Sequence, residues 1–335
     1  MCKMILSPSI RPTNPQKKTE NDDMARRNQR RRKPEPPGPS GFLVVDKPPG
    51  MTSHDVVDAA RRWLGTRRVG HLGTLDPQAT GVLPLAIRAA TKLIPFIEGG
   101  AKGYDGTIIL GATTDTLDCE GKVLERFEGE LPGRDEVEDA LSEFVGDVEQ
   151  VPPMYSAVKK DGVPLHRLAR QGQEVERDSK WITIDSLEMT RFESPEFDVR
   201  VLCSAGTYVR VLAQDLGEDL GCGAHLGPLR RTQSGPFLLD QALTFEQIET
   251  ALDAGDVESC LVDPATALGF PVLELSRDQS HHVRNGGDVA AGDLHNRKPG
   301  TRISVLDDEG AFLAVGEIRP DHRLWPLRVL PPEPQ

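Results

Sequence analysis

The sequence predicts an α+β fold in which a large mixed unit precedes a small β-rich one. Three observations support this. The 335 residues leave room for one large domain with a real core and one small one. Up to about residue 268, strand-like apolar runs and amphipathic helix-like runs are interspersed. From about Pro271 the texture changes to short strands: Val272 to Leu275, Thr301 to Leu306, Ala311 to Ile318 and Leu324 to Leu330. Gly286-Gly287 and Asp308-Glu309-Gly310 punctuate them.

Residues 1–40 are polar, Pro-rich and Arg-rich, with Arg26-Arg27 and Arg30-Arg31-Arg32-Lys33. They carry too little apolar surface to offset the entropy of ordering, so they are expected to form a disordered basic arm. Phe42 to Asp46 reads as a strand ended by the turn Lys47-Pro48-Pro49-Gly50. Ser53 is expected to cap a helix with Val56, Val57, Ala60 and Leu64 on its apolar face. A Gly-rich loop then leads into the apolar strand Val82 to Ile87. Ala89 to Glu98 reads as a short helix, and Gly103 to Leu110 as a strand carrying Tyr104. Glu136 to Phe144 is an amphipathic helix with an acidic outer face. The segment from Pro152 to Glu176 combines a strand-like stretch, Met154 to Lys159, with a basic helix, His166 to Arg170. Trp181 to Phe192 and Phe197 to Cys203 read as paired strands. Thr207 to Leu220 reads as a helix that buries Val211, Leu212 and Leu216 and stops at Gly221; Phe245 to Leu252 is another.

Composition narrows the function class. No apolar run approaches the roughly 18 residues needed to span a bilayer. The five cysteines are odd in number and scattered without a Cys-x-x-Cys, which argues against a disulfide framework or a zinc site and for a reducing cytoplasm. The net charge is −12, but distribution matters more than the total. Acidic residues crowd between Asp115 and Glu149. Basic pairs stand elsewhere, at Arg61-Arg62, Arg67-Arg68, Lys159-Lys160 and Arg230-Arg231. This pattern fits a basic nucleic-acid-facing surface with an acidic back, and equally well a set of ordinary solvated charges. His281, His282 and His295 lack metal-ligand spacing and read as surface residues.

One stretch stands apart: Val69-Gly70-His71-Leu72-Gly73-Thr74-Leu75-Asp76-Pro77-Gln78-Ala79-Thr80-Gly81-Val82-Leu83-Pro84-Leu85. Its glycines permit backbone conformations or close approaches closed to other residues. The order Gly70, Gly73, Gly81 with no following Gly-Lys-Ser/Thr is not a phosphate loop. Asp76-Pro77 at the head of a buried strand could hold a carboxylate rigidly for chemistry; on spacing alone it is also ordinary helix-start chemistry.

This stretch resembles the catalytic motif of the TruB family, the bacterial tRNA pseudouridine-55 synthases. The likeness extends upstream to the segment Gly41 to Ser53. Downstream it takes in Ala90-Thr91-Lys92, Lys102-Gly103-Tyr104, Pro153 to Lys159, Gly206-Thr207-Tyr208-Val209-Arg210 and Leu229-Arg230-Arg231, all in the family's order. The resemblance implies a pseudouridine synthase fold, with a mixed, largely antiparallel central sheet flanked by helices and loops. It divides the chain into the arm 1–40, a catalytic domain 41–268 with a thumb-like insertion at about 152–178, and a PUA-like RNA-binding domain 269–332.

The implied reaction breaks the bond from uracil N1 to ribose C1′, turns the base and rejoins it through C5. No cofactor or metal is expected. By resemblance Asp76 is the catalytic carboxylate and Arg210 its cationic partner; without the motif, Arg210 would read as a surface helix charge. A base inside an RNA loop must be everted, and stacking on aromatic faces offsets part of the cost. Tyr104 and Tyr208 match the family's pocket tyrosines, although a lone tyrosine at a strand start is more often core. His71 matches the histidine that fills the space left by flipped nucleotides, and Lys47, Lys92 and Leu229 are expected around the pocket. Leu72 and Asp105 depart from the family's usual residues and bear on affinity. The implied partner is the T-stem-loop of tRNA, bound by a monomeric cytoplasmic enzyme. Two other readings stay open: an RNA chaperone for tRNA, and a guide-RNA-dependent relative.

Overall fold

The computed structural model describes residues 37–331. Residues 1–36, most of the expected basic arm, lie outside the described residues, as do 332–335. The central sheet begins with Gly41–Lys47, which pairs antiparallel with Thr80–Ile87 from Gly41 opposite Ile87 to Lys47 opposite Gly81. Both strands read as continuous apolar runs because both faces are covered. Leu43, Val45, Leu83 and Leu85 point into one hydrophobic cluster, and Phe42, Val44, Val82 and Ala86 into a second on the other side.

Through its middle the sheet runs from Leu261–Val262 to Gly41–Lys47, Thr80–Ile87, Ala224–Ser234, Lys102–Leu110, Glu196–Cys203, Lys180–Glu193 and Gly146–Gln150. Its ladders are antiparallel except for the one between Ala224–Ser234 and Thr80–Ile87, where Arg230 and Arg231 lie opposite Thr80 and Gly81. The sheet is therefore mixed and largely antiparallel, as expected. The first cluster is closed by the helices Ser53–Trp63, Arg134–Glu143 and Val209–Asp219. A separate five-stranded sheet follows from Val272, and its Val315, with Leu330, reaches into the second cluster beside Phe42 and Phe237.

Local chemistry overrides several expectations. The cap of the first helix is Thr52, not Ser53. The Thr52 hydroxyl accepts from the Asp55 amide at 3.1 Å and the Asp55 carboxylate accepts from the Thr52 amide at 2.8 Å, a closed capping box. The expected helix Ala89 to Glu98 is a 3₁₀ turn, Arg88–Leu93, followed by the short α-helix Ile94–Ile97. Pro95 has no N–H to donate backwards, so a continuous α-helix cannot pass through it and the helix restarts with proline in its first turn. Met154 to Lys159 finds no strand to pair with; only Lys159–Lys160 forms a short ladder, with Val163–Pro164. Several elements were hidden in the sequence, a central strand and a C-terminal helix among them. Ala224–Ser234 contains Gly227-Pro228 and two arginines, which mask a central strand; an irregular register between Leu226 and Leu229 accommodates the proline. The C-terminal unit also holds the helix Arg277–Arg284, capped by Ser276 and Gln279.

Gly81 marks the tightest point of the parallel junction. It has φ of +96°, and a Cβ there would lie 2.2 Å from the Arg231 carbonyl oxygen and 2.9 Å from its nitrogen. Both atoms are backbone in a central strand and cannot swing aside. Gly81→Ala is therefore expected to lose about 2 kcal/mol or more of stability. The check is a lower urea midpoint at unchanged m-value.

Candidate active site

The loop between the strands Val69–His71 and Thr80–Ile87 is fastened from three sides. The Ser53 hydroxyl accepts from the Leu75 amide at 2.8 Å and donates to the Leu75 carbonyl at 3.1 Å. Lys47, fully buried, donates from Nζ to the carbonyls of Met51 at 2.7 Å, Pro77 at 2.8 Å and Pro48 at 2.9 Å, which uses all three ammonium protons. From beneath, Arg231 donates to the carbonyls of Val82 at 2.7 Å, Gly73 at 3.1 Å and Thr74 at 3.3 Å.

Asp76 stands at the turn of this loop, where its carbonyl accepts from the Ala79 amide at 3.1 Å. Its carboxylate meets Arg210 in two-point fashion: Nε lies 3.0 Å from Oδ2 and Nη2 donates to Oδ1 at 3.3 Å. Arg210 sits in the first turn of the Val209–Asp219 helix, where the positive end of the helix disfavours a cation. Its side chain is only 6% exposed, and acceptors surround it: the Thr116 carbonyl at 3.1 Å, the Tyr155 carbonyl at 3.0 Å and the Asp118 carboxylate at 3.5 Å.

Burial pushes the Asp76 carboxyl above its ordinary value. Arg210 opposes this, Asp118 adds to it, and Lys47 opposes it more weakly. The side chain still leaves 44% of its surface exposed, so the packed protein around it acts on a group that an incoming ligand can reach.

The carboxylate faces a cavity of about 390 Å³. Tyr104, Tyr208, Leu229, Lys102 and Arg231 contribute to its walls. Tyr104 lies on Lys102–Leu110, is 8% exposed and shares the cavity wall with Arg231; burial raises its phenol pKa. Tyr208 precedes the Val209–Asp219 helix. Its amide donates to Gln150 at 2.8 Å, and the Gln150 amide donates back to the Tyr208 carbonyl at 3.1 Å. Lys102 donates to the Ser234 hydroxyl at 2.8 Å, and burial, with Arg231 nearby, lowers its pKa to about 8. Asp76, Arg210 and Leu229 also border a neighbouring, more open groove with Asp118, Arg200 and Arg230.

Of the residues singled out in the sequence, Asp76, Tyr104, Tyr208, Arg210 and Leu229 converge on this cavity. Lys47 lies beneath the loop, away from the lining, and burial lowers its pKa to about 8. His71 stands outside the lining, half-buried, with its ring edge-on to His54 at 5.8 Å; burial lowers its pKa and favours the neutral ring. Lys92 is exposed on the 3₁₀ turn and takes no part in the cavity. Leu72 is core and cavity wall, and Asp105 is paired with Arg200 at 3.0 Å. The expected basic pair Arg230-Arg231 is split. Successive strand residues face opposite sides, so Arg230 bonds Asp46 at 2.7 Å while Arg231 is 1% exposed. Sequence reasoning missed Arg231, Lys102 and Asp118 as site residues; the first two were visible as flanks of the Leu229 and Tyr104 motifs. Among the described residues, no three His, Cys, Asp or Glu side chains are grouped to hold a metal ion, and no helix is long and apolar enough to cross a membrane.

Comparison with known proteins adds the lineage. Residues 61–209 match the TruB family pseudouridylate synthase N-terminal domain. Residues 210–266 match the tRNA pseudouridylate synthase B C-terminal domain, and 271–330 the C-terminal region of pseudouridine synthase II TruB. The tRNA pseudouridine synthase B of Pseudomonas paraeruginosa is 45% identical over 295 residues, 87% of this chain and 96% of that protein. That of Geobacter sulfurreducens is 46% identical over 283 residues, 83% and 93% of the two chains. Among solved structures, a chain of a Cbf5-Nop10-Gar1 complex superposes with a TM-score of 0.63 at 27% identity, covering 83% of this chain and 78% of that one. A chain of an H/ACA RNP bound to a substrate RNA containing 2′-deoxyuridine gives 0.65 at 24% identity, covering 88% and 87%, and shares the fold. The fold is that of a pseudouridine synthase. With this identity over nearly the whole of its relatives, the chain belongs to the TruB family.

Proposed function

We propose that this chain isomerises uridine to pseudouridine in tRNA, the activity its curated relatives are named for, and that it does so at position 55 of the T-loop, the position the motif resemblance implies. The observation that carries this reading is the cavity-facing Asp76 carboxylate, gripped at two points by the buried Arg210. The reaction needs an ionised carboxylate to attack the nucleoside or to stabilise a cationic sugar, and the guanidinium holds the charge on a group that burial would otherwise protonate. Tyr104 stacks on the everted uracil, with Tyr208 and Leu229 completing the wall. His71 fills the space the flipped nucleotides leave, and Lys47 fixes the Asp76 loop from below. Lys92 acts at the periphery on RNA. The domain reading accompanies this: catalysis in 41–268, a gripping insertion at about 152–178 and RNA contacts from 269–332. The enzyme works as a cytoplasmic monomer.

The guide-RNA-dependent reading stands second; one solved structure of the same fold is named as an H/ACA RNP bound to a substrate RNA. One experiment separates the two. The purified chain, incubated with unmodified tRNA transcript and no other RNA, is expected to place one pseudouridine at position 55, read by chemical mapping. Product only with an added guide RNA, or none at all, overturns the first reading.

A further inference from the structure

The cavity has a second charged end that the reaction itself does not use. Lys102 Nζ and Arg231 Nη1 both face the bare Cα of Gly73: the position of a Cβ on Gly73 lies 3.6 Å from each. Gly73 has φ of +100°, so a side chain there is disfavoured both by backbone conformation and by the space it would fill. Arg231 bonds only neutral groups, the three loop carbonyls. Lys102 bonds the Ser234 hydroxyl. Among the described residues neither cation makes an ion pair with a carboxylate; Glu98, on the same rim, acts on Lys102 only from beyond ion-pair distance. Two like charges held side by side in a half-dry wall are costly unless an anion joins them.

We infer that Lys102 and Arg231, across the space kept open by Gly73, form an oxyanion subsite for one of the two phosphodiesters flanking the everted uridine. This deepens the proposed function and rests on it. Arg231 is already committed to the loop, so it contributes a fixed charge. Lys102 has two ammonium protons left after Ser234 and makes the direct contact. The subsite holds the strand while the base lies against Tyr104, and it carries no information about base identity.

The test uses the full chain carrying Asp76→Asn, which binds without turnover, and a T-stem-loop RNA whose affinity is followed against salt. Adding Lys102→Gln is expected to weaken binding about tenfold. The slope of log affinity against log salt should become shallower by about 0.7, the signature of one lost single-strand phosphate contact. Lys102→Arg should restore the slope. Independently of any change at Lys102, a neutral methylphosphonate at one flanking position should weaken binding by a similar factor, and Lys102→Gln should then cost nothing further. An unchanged slope, or equal losses from Lys102→Gln on native RNA and on both methylphosphonate RNAs, overturns the subsite. Failure of the Asp76→Asn protein to bind the stem-loop at all overturns the functional reading together with the subsite.

Discussion

Asp76→Asn is expected to lower pseudouridine formation by on the order of 10⁴-fold or more while leaving tRNA affinity within about twofold. The substitution keeps the shape of the side chain and an oxygen that can accept from Arg210 Nη2, so the cavity floor stays in place. It removes the charge and one carboxylate oxygen. The measurement is tritium release from tRNA labelled at uracil C5, paired with filter binding of the same RNA. A residual rate above about a tenth of the unsubstituted enzyme would show that the carboxylate is not the reacting group.

The second large effect is expected from Arg210→Met. The guanidinium is the main force keeping Asp76 ionised against burial, and Asp118 pushes the other way. In the intact protein the acid limb of the rate profile should already lie above 3.8, the ordinary value for aspartate, because burial outweighs the cations. Without Arg210 the limb moves further up in pH. Activity depends on the carboxylate form, so the loss is greatest in acid and part of it returns as the pH rises. The sign for stability is the opposite one. A carboxyl that holds its proton more tightly folded than unfolded contributes less and less to stability as pH climbs from 3.8 through its folded value. A loss of rate that is equal at every pH would assign Arg210 to positioning alone and not to charge.

Much of this was legible in the sequence, and unevenly so. Strands covered on both faces, such as Gly41–Lys47 and Thr80–Ile87, announce themselves as apolar runs, and helices with one buried stripe do so by spacing. Ala224–Ser234 did not, because its signal is diluted by Gly227-Pro228 and by an arginine that is buried through hydrogen bonds to carbonyls rather than by apolarity. The same disguise hid Arg231 from the site. A buried arginine next to an exposed one reads as a basic pair until strand alternation separates them. Asp76 and Arg210 are 134 residues apart and were joined by motif likeness alone; no spacing rule links a loop to the first turn of a distant helix. Thr52 and Ser53 show the limit at short range. Both are good caps, and the choice fell to the one with an acidic residue three positions on.

The Tyr155 carbonyl takes one proton of the Arg210 guanidinium, and the Ser156 carbonyl, one residue on, receives the His166 amide at 3.1 Å. The root of the proposed 152–178 insertion is thus wired into Arg210, the residue that pairs with Asp76. An enzyme built this way has no clean line between grip and turnover: shortening or grafting that insertion would detune the chemistry even where RNA still adheres. Exchanging such segments between relatives to change substrate choice therefore calls for transplanting Tyr155 and Ser156 with their backbone geometry intact.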